Sequence, residues 1–341
     1  MGQVTEISWT DHTFNLWWGC TKVSEGCEGC YAEAWAKRWG FGWGPFAERR
    51  FFGPKHWAEP LKWNSRAARD GVRRRVFCAS MADVFEDRPE YLEERQRLWD
   101  VICMTRNLDW LLLTKRPENI ARLLDLVRGP LGLTGLEQME RGPLPNGWLG
   151  TTVESQRWAD NRIPHLLKIP AVVRFLSCEP LLGPVDLGPY LDPTGACCGG
   201  EPEYQCKDCP ATRFRVFGPD GYPEPGIHWV IVGGESGDGA RPMHPDWAHA
   251  LRDQCQEHGV AFHFKQWGEW RCDGKPSDAD EVVRLCLENP NGRWVGPNGE
   301  YTHDDWDTVH MTRVGKKSAG RLLDGRTWDE FPNVATEALA Q

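Results

Sequence analysis

The chain has 341 residues, with 40 Lys and Arg against 49 Asp and Glu. The net charge of −9 argues against a protein that coats nucleic acid by charge alone. No apolar run approaches a membrane span, and the opening Met1-Gly-Gln-Val-Thr-Glu6 has neither the charged nor the apolar stretch of an export signal, so a cytoplasmic protein without membrane partners is expected. Thirteen cysteines in that setting point to metal, catalysis or burial rather than a disulfide framework.

The first informative segment holds Cys20, Cys27 and Cys30 in one short loop. Three local thiolates can carry a 4Fe-4S cluster and leave its fourth iron for an exchangeable ligand. The alternative is structural zinc, which would need a distant fourth ligand such as Cys78 or His12. Of 19 tryptophans, Trp17, Trp18, Trp35, Trp39 and Trp43 crowd around this loop. Indole is first a large hydrophobe, so most of them read as core, while a minority suits stacking on a flat substrate such as a base. Downstream, Arg66, Arg69, Arg73, Arg74 and Arg75, with Arg49 and Arg50 upstream, read either as a phosphate contact or as a solvated helix face.

Short apolar runs then predict strands over 75–79, 110–114, 148–153, 172–176, 229–232 and 260–264, with helices such as 89–104 and 117–127 between them. Alternating strands and helices predict an α/β fold with a parallel (β/α) barrel, partial or closed, of the TIM kind. Polar residues gather just past every run: Ser80 and Asp83, Lys115 and Arg116, Glu154, Cys178 and Glu179, Gly233-Gly234-Glu235, and Lys265-Gln266-Trp267. In a parallel barrel those ends share the face on which active sites are built.

Between about 183 and 227 the rhythm is interrupted by a second group, Cys197, Cys198, Cys206 and Cys209, in Gly- and Pro-rich surroundings. Four thiolates suit a closed zinc site, with an auxiliary iron–sulfur cluster as the rival. The expected layout is therefore a barrel from 1–182 and 228–270, a Cys-rich insertion at 183–227 and a C-terminal extension at 271–341. Within the extension, Arg293–Tyr301 reads as a hairpin turning at Asn298-Gly299.

Taken together, the Cys20–Cys30 loop, Cys78-Ala-Ser-Met-Ala-Asp83, Leu113-Thr-Lys-Arg-Pro117, Ser177-Cys-Glu-Pro-Leu-Leu-Gly183, Val232-Gly-Gly-Glu-Ser236, Phe264-Lys-Gln-Trp-Gly268 and Leu323-Asp-Gly-Arg-Thr-Trp328 resemble a radical S-adenosylmethionine (SAM)-like family of phages and bacteria. Genes of that family are often neighbours of three-Cys-motif partner proteins. The family is similar in turn to spore photoproduct lyase, a radical SAM enzyme of DNA repair. The resemblance implies a 4Fe-4S cluster on Cys20, Cys27 and Cys30, SAM as cofactor, an electron donor such as flavodoxin or ferredoxin, and a base in DNA as substrate for lyase-like repair or DNA modification.

The same resemblance implies roles for single residues. Cys78, with Cys178 as a second candidate, would donate hydrogen if it points inward, and otherwise is a small hydrophobe. Tyr31 supplies the aromatic neighbourhood of the site. Ser80, Asp83, Lys115, Glu154, Glu179, Gly233, Gly234 and Glu235 would form the cofactor pocket, with Lys115 meeting the SAM carboxylate. Two departures stand out: six residues fill the first cysteine gap where three are common, and Gly29 occupies the usual aromatic position. Other readings are a radical SAM enzyme of a small molecule or peptide, and a zinc-dependent nucleic-acid-binding scaffold.

Overall fold

The computed structural model describes residues 5–129, 131–191, 226–272, 282–286, 308–332 and 334. Cys197, Cys198, Cys206 and Cys209, and the expected hairpin at 293–301, lie outside the described residues.

Strand β1 (His12–Phe14) is followed by a short antiparallel pair, β2 (Trp17–Trp18) with β3 (Arg50–Phe51). Then come β4 (Arg74–Cys78), β5 (Leu108–Thr114), β6 (Gly147–Thr152), β7 (Val173–Cys178), β8 (Trp229–Gly233) and β9 (Ala261–Gln266). These six cover the six apolar runs. With β1 they form one seven-stranded sheet in the order β1-β4-β5-β6-β7-β8-β9, parallel throughout, which curls into a half-barrel. The connections carry helices Leu92–Met104, Ile120–Asp125, Gly135–Arg141, Gln156–Leu167 and Pro245–Glu257, while helix Glu59–Asp70 leads into β4.

Side chains alternate across each strand, and the two faces have separate cores. Phe77, Leu111, Trp148, Phe175, Trp229 and Ile231 pack with Trp9 on the concave face. Val76, Cys78, Leu112, Leu176, Cys178, Val232 and Phe264 pack with Leu98, Ile102, Ile163, Leu166 and Leu251 of the helices. Both faces are apolar, as a parallel sheet covered on both sides requires.

The described residues past 270 pack on this body. β10 (Trp270–Arg271), β11 (Val282–Cys286) and β12 (Thr308–Arg313) form an antiparallel sheet in the order β10-β12-β11. The chain then returns along β9: the amide of Phe264 donates to the Trp328 carbonyl at 2.9 Å and that of Glu330 to the Phe262 carbonyl at 3.2 Å. Leu323 and Trp328 join the main core, and the Phe331 ring packs 5.1 Å from Trp229.

The basic cluster serves the opposite end of the sheet from the strand tips. Arg73 pairs with Asp109, Arg74 with Asp70, and Arg75 sits over the Phe331 ring and near Asp11. Arg49 is buried against Glu86 at 2.9 Å. Four of the seven arginines offered as a phosphate surface are therefore held by carboxylates near the start of β4 or beneath the cysteine loop.

Candidate functional site

The cysteine loop is seated on the C-terminal ends of the strands. A 3-10 turn, Glu25–Cys27, precedes helix Tyr31–Arg38, whose cap residue is Cys30. At the β6 end, Ser24 Oγ donates to Glu154 Oε1 at 2.5 Å, Ser155 Oγ to Glu25 Oε1 at 3.2 Å and Trp158 Nε1 to Glu25 Oε2 at 2.7 Å. At the β8 end, Arg241 Nη2 donates to the Glu25 carbonyl at 3.0 Å and also to Glu235 Oε1 at 2.7 Å. From the β5 end, Arg116 reaches across to donate to the Thr21 carbonyl, and its Nη1 lies 3.7 Å from Cys20 Sγ.

Two carboxylates fill the spaces that loop glycines leave. A Cβ on Gly26 would lie 2.4 Å from Glu154 Cγ, and one on Gly29 2.4 Å from Glu235 Oε1. Neither glycine needs a left-handed backbone; what the loop needs there is room. Glu154 is fully buried and accepts from Arg162 Nη1 at 2.5 Å, and Glu235 is gripped by Arg241 through Nε, Nη2 and the backbone amide. Each buried carboxylate thus meets its own guanidinium, as a charge in such a place must.

The expected pocket residues divide into those that face the mouth and those that build it. Asp83 belongs to the second kind. It accepts from the Phe85 amide, Thr114 Oγ1, the Lys115 amide and Arg116 Nη1 at 3.0, 2.6, 3.1 and 2.8 Å, so it fixes the turn after β5. Glu154 and Glu235 likewise hold the loop. Gly233 gives space to Glu179, and Gly234 gives space to backbone, since a Cβ there would lie 2.0 Å from the Trp267 carbonyl oxygen. The room these glycines leave is taken by Glu179 and by the chain at 267–268.

Lys115, Thr152, Ser177, Glu179 and Lys265 share the concave-face parity of their strands and ring the mouth above the aromatic core. Lys115 Nζ donates to Thr152 Oγ1 at 3.2 Å, and Lys265 Nζ donates to both Glu179 oxygens at 2.7 Å. Ser80 accepts from Asn15 Nδ2 at 3.1 Å, and its carbonyl accepts from Tyr31 Oη at 2.8 Å. Cys78 and Cys178 go the other way. Both are fully buried in the core beneath the helices, and their thiols are pushed up by that burial, Cys178 also by Cys255 and Glu154. The inward-pointing donor role is therefore not met by either; each fills the place of a small hydrophobe.

The three loop thiols are free and half-buried. Burial, with Asp83 adding, pushes the Cys20 thiol up to about 12, and Arg116 opposes the shift. Burial also raises Cys30, opposed by the amides of Glu33 and Ala32 and by Lys115. Displacement of the proton to solvent by a bound metal would offset such shifts, and the cations near Cys20 and Cys30 favour the thiolate form. Among the described residues no group of three His, Cys, Asp or Glu side chains is close enough to hold one metal ion. His12 is stacked on Trp63 at 4.4 Å, and Cys78 is in the core. A four-iron cluster would take each thiolate on a different iron, and Cys20, Cys27 and Cys30, with Arg116 and Lys115 nearby, are the thiols of this loop that would hold it.

Reading the sequence missed Arg162, Arg241, Ser24 and Trp158. The signal available was indirect: a carboxylate destined for burial needs a cation, but the chain offers many arginines and no spacing singles these out.

Fold and site together define a parallel α/β half-barrel with a thiol loop docked across the C-terminal ends of its strands. The chain belongs to the family described as Protein of unknown function (DUF5131), whose model matches residues 4–332. No curated protein and no solved structure matches it.

Proposed function

We propose that this protein is a radical SAM enzyme that acts on a nucleobase in DNA, with Cys20, Cys27 and Cys30 as ligands of a 4Fe-4S cluster. The observation that carries the reading is the seating of three free thiols at the mouth of a parallel half-barrel, with Arg116 at Cys20 and Lys115 near Cys30. When bound, the cluster and SAM would supply a 5′-deoxyadenosyl radical. The protein's own residues supply position and charge. Lys115, directed by Thr152, offers a cation for the carboxylate of a bound amino acid group. Glu154 with Arg162, and Glu235 with Arg241, fix the loop at both ends. The Glu179–Lys265 pair gives the mouth a polar wall. Of the three candidate catalytic residues, Tyr31 is the one beside the loop, and it is the one kept.

The resemblance to spore photoproduct lyase supports DNA as substrate. The same reading calls for an electron donor of the flavodoxin or ferredoxin kind, and for a three-Cys-motif protein as a partner that holds DNA for an acidic chain.

The test is anaerobic purification, reconstitution with iron and sulfide, and measurement of 5′-deoxyadenosine from SAM and a strong reductant, beside Cys27→Ala. Product that disappears in the variant supports the reading. Zinc as the sole bound metal, with no product, overturns it in favour of a scaffold. Product formation stimulated by a small molecule or peptide but by no DNA overturns the substrate half alone.

A further inference from the structure

Helix Tyr31–Arg38 leaves the cysteine loop carrying aromatic residues at every fourth position: Tyr31, Trp35 and, just past its end, Trp39. Residues four apart share one helix face, and here that face is open to solvent, with Tyr31 56 %, Trp35 40 % and Trp39 64 % exposed. The adjoining face buries Ala32 and Ala36 against Trp18 and Met81. The stripe starts at the mouth, where Tyr31 Oη donates to the Ser80 carbonyl, and runs outward with the Trp35 and Trp39 rings 5.8 Å apart.

Burying indole is ordinary; leaving two side by side in water needs an occupant. The surrounding charge says which kind. Residues 31–55 contain eight aromatics and five cations, Lys37, Arg38, Arg49, Arg50 and Lys55, against Glu33 and Glu48, in a chain whose net charge is −9. Glu33 is shared by Lys22 and Lys37, and Arg49 is committed to Glu86. Arg50 lies over the Trp18 and Phe41 rings at 4.4 and 4.6 Å. Exposed rings interleaved with cations match a flexible polyanion with stackable faces, which is the chemistry of a single-stranded nucleic acid. A stiff duplex presents no free base faces to such a row.

We infer that Tyr31, Trp35 and Trp39, flanked by Lys37, Arg38 and Arg50, form a stacking track that binds single-stranded nucleic acid and leads it to the mouth. The inference deepens the proposed function and rests on the reading of the mouth as a site for base chemistry. It also gives a physical route by which an acidic protein holds a nucleic acid: the attraction is local, and the stacking term does not depend on net charge.

The test is fluorescence anisotropy with labelled oligo-dT and oligo-U of about 15 nucleotides and a duplex of equal length, using the full chain at low salt with neither SAM nor reductant. The expected result is binding of at least one single strand, tighter than the duplex, weakened about tenfold or more in Trp39→Ala and further in Trp35→Ala/Trp39→Ala. Since Trp35 also packs on Trp18 at 4.9 Å, Arg38→Ala gives an independent arm: weaker binding, with a salt dependence shallower by about 0.7 in log–log slope. Preference for oligo-dT or oligo-U tells DNA from RNA. Failure of wild type to bind either single strand, equal affinity for the duplex, or variants that bind as wild type would each overturn the track. Formation of 5′-deoxyadenosine by wild type without nucleic acid reports on the radical chemistry by itself, so failure of either reading is seen apart from the other.

Discussion

Gly29 and Glu235 are in such close contact that a Cβ on the glycine would lie 2.4 Å from the carboxylate oxygen, and the carboxylate is not free to retreat. Arg241 holds it at 2.7, 2.8 and 2.9 Å through two guanidinium nitrogens and its own amide. The position just before the last loop cysteine is therefore closed to an aromatic ring by a side chain arriving from the end of β8. Gly29→Ala should displace Glu235 from Arg241 and cost about 1–3 kcal/mol, the range for overpacking or for breaking a charged hydrogen bond. Urea unfolding measures it. An alanine variant as stable as the parent would mean that the loop slides without cost.

At the other anchor the argument concerns charge rather than space. Glu154 and Arg162 have side chains 0 % and 1 % exposed and lie 2.5 Å apart. Such a pair is weak evidence for net stability, but removing one partner strands the other in a dry site at a cost of about 3–5 kcal/mol. Arg162→Met should show that loss in denaturant, and Glu154→Gln added to it should recover a good part by removing the stranded charge. Additive losses in the double variant would count against the pairing.

Lys115 should separate ligand capture from cluster assembly. Its ammonium is directed by Thr152 at 3.2 Å and lies beside Cys30 without belonging to the thiol set. In reconstituted protein, Lys115→Met should keep its iron and sulfide while SAM binding weakens about tenfold or more, the worth of a charge-assisted hydrogen bond. Equilibrium dialysis against labelled SAM reads this directly. Unchanged SAM affinity would remove Lys115 from the proposed pocket.

These positions show what the sequence could and could not reveal. The six long strands were legible because each is a short apolar run closed by polar residues, and the polar tips did gather at one mouth. β1 was not legible: three residues, His12 to Phe14, carry no period. The orientation of Cys78 and Cys178 was hidden for a different reason. In a parallel sheet packed on both faces, Phe77 and Phe175 on the concave side are as apolar as Val76 and Leu176 on the side of the cysteines, so along these runs no alternation tells inward from outward. The support that Asp83, Glu154 and Glu235 give the loop depends on Arg116, Arg162 and Arg241, which become their partners only once the chain is folded. The return of 323–331 along β9 follows from tertiary contacts and from no local pattern.

That return makes the last prediction, because it seals a histidine beneath the mouth. His263 is fully buried on β9, with Nε2 2.9 Å from Ser8 Oγ and Nδ1 3.7 Å from Asp329 on the returning segment. Burial lowers its pKa from 6.5 to about 4; Asp329 opposes the shift, and Arg321, Arg75 and Lys265 add to it. A proton is therefore taken up by the unfolded chain before the folded one as the pH falls. The contribution of the neutral ring is complete above about pH 6.5 and is lost progressively down to about pH 4, on the order of 3 kcal/mol in all. His263→Gln cannot titrate, so the difference in unfolding free energy between wild type and variant should shift toward the variant by that amount between pH 7 and pH 4. A pH-independent difference would mean that the imidazole is reached by water or paired while charged, and that the C-terminal segment does not seal β9 as tightly as its hydrogen bonds suggest.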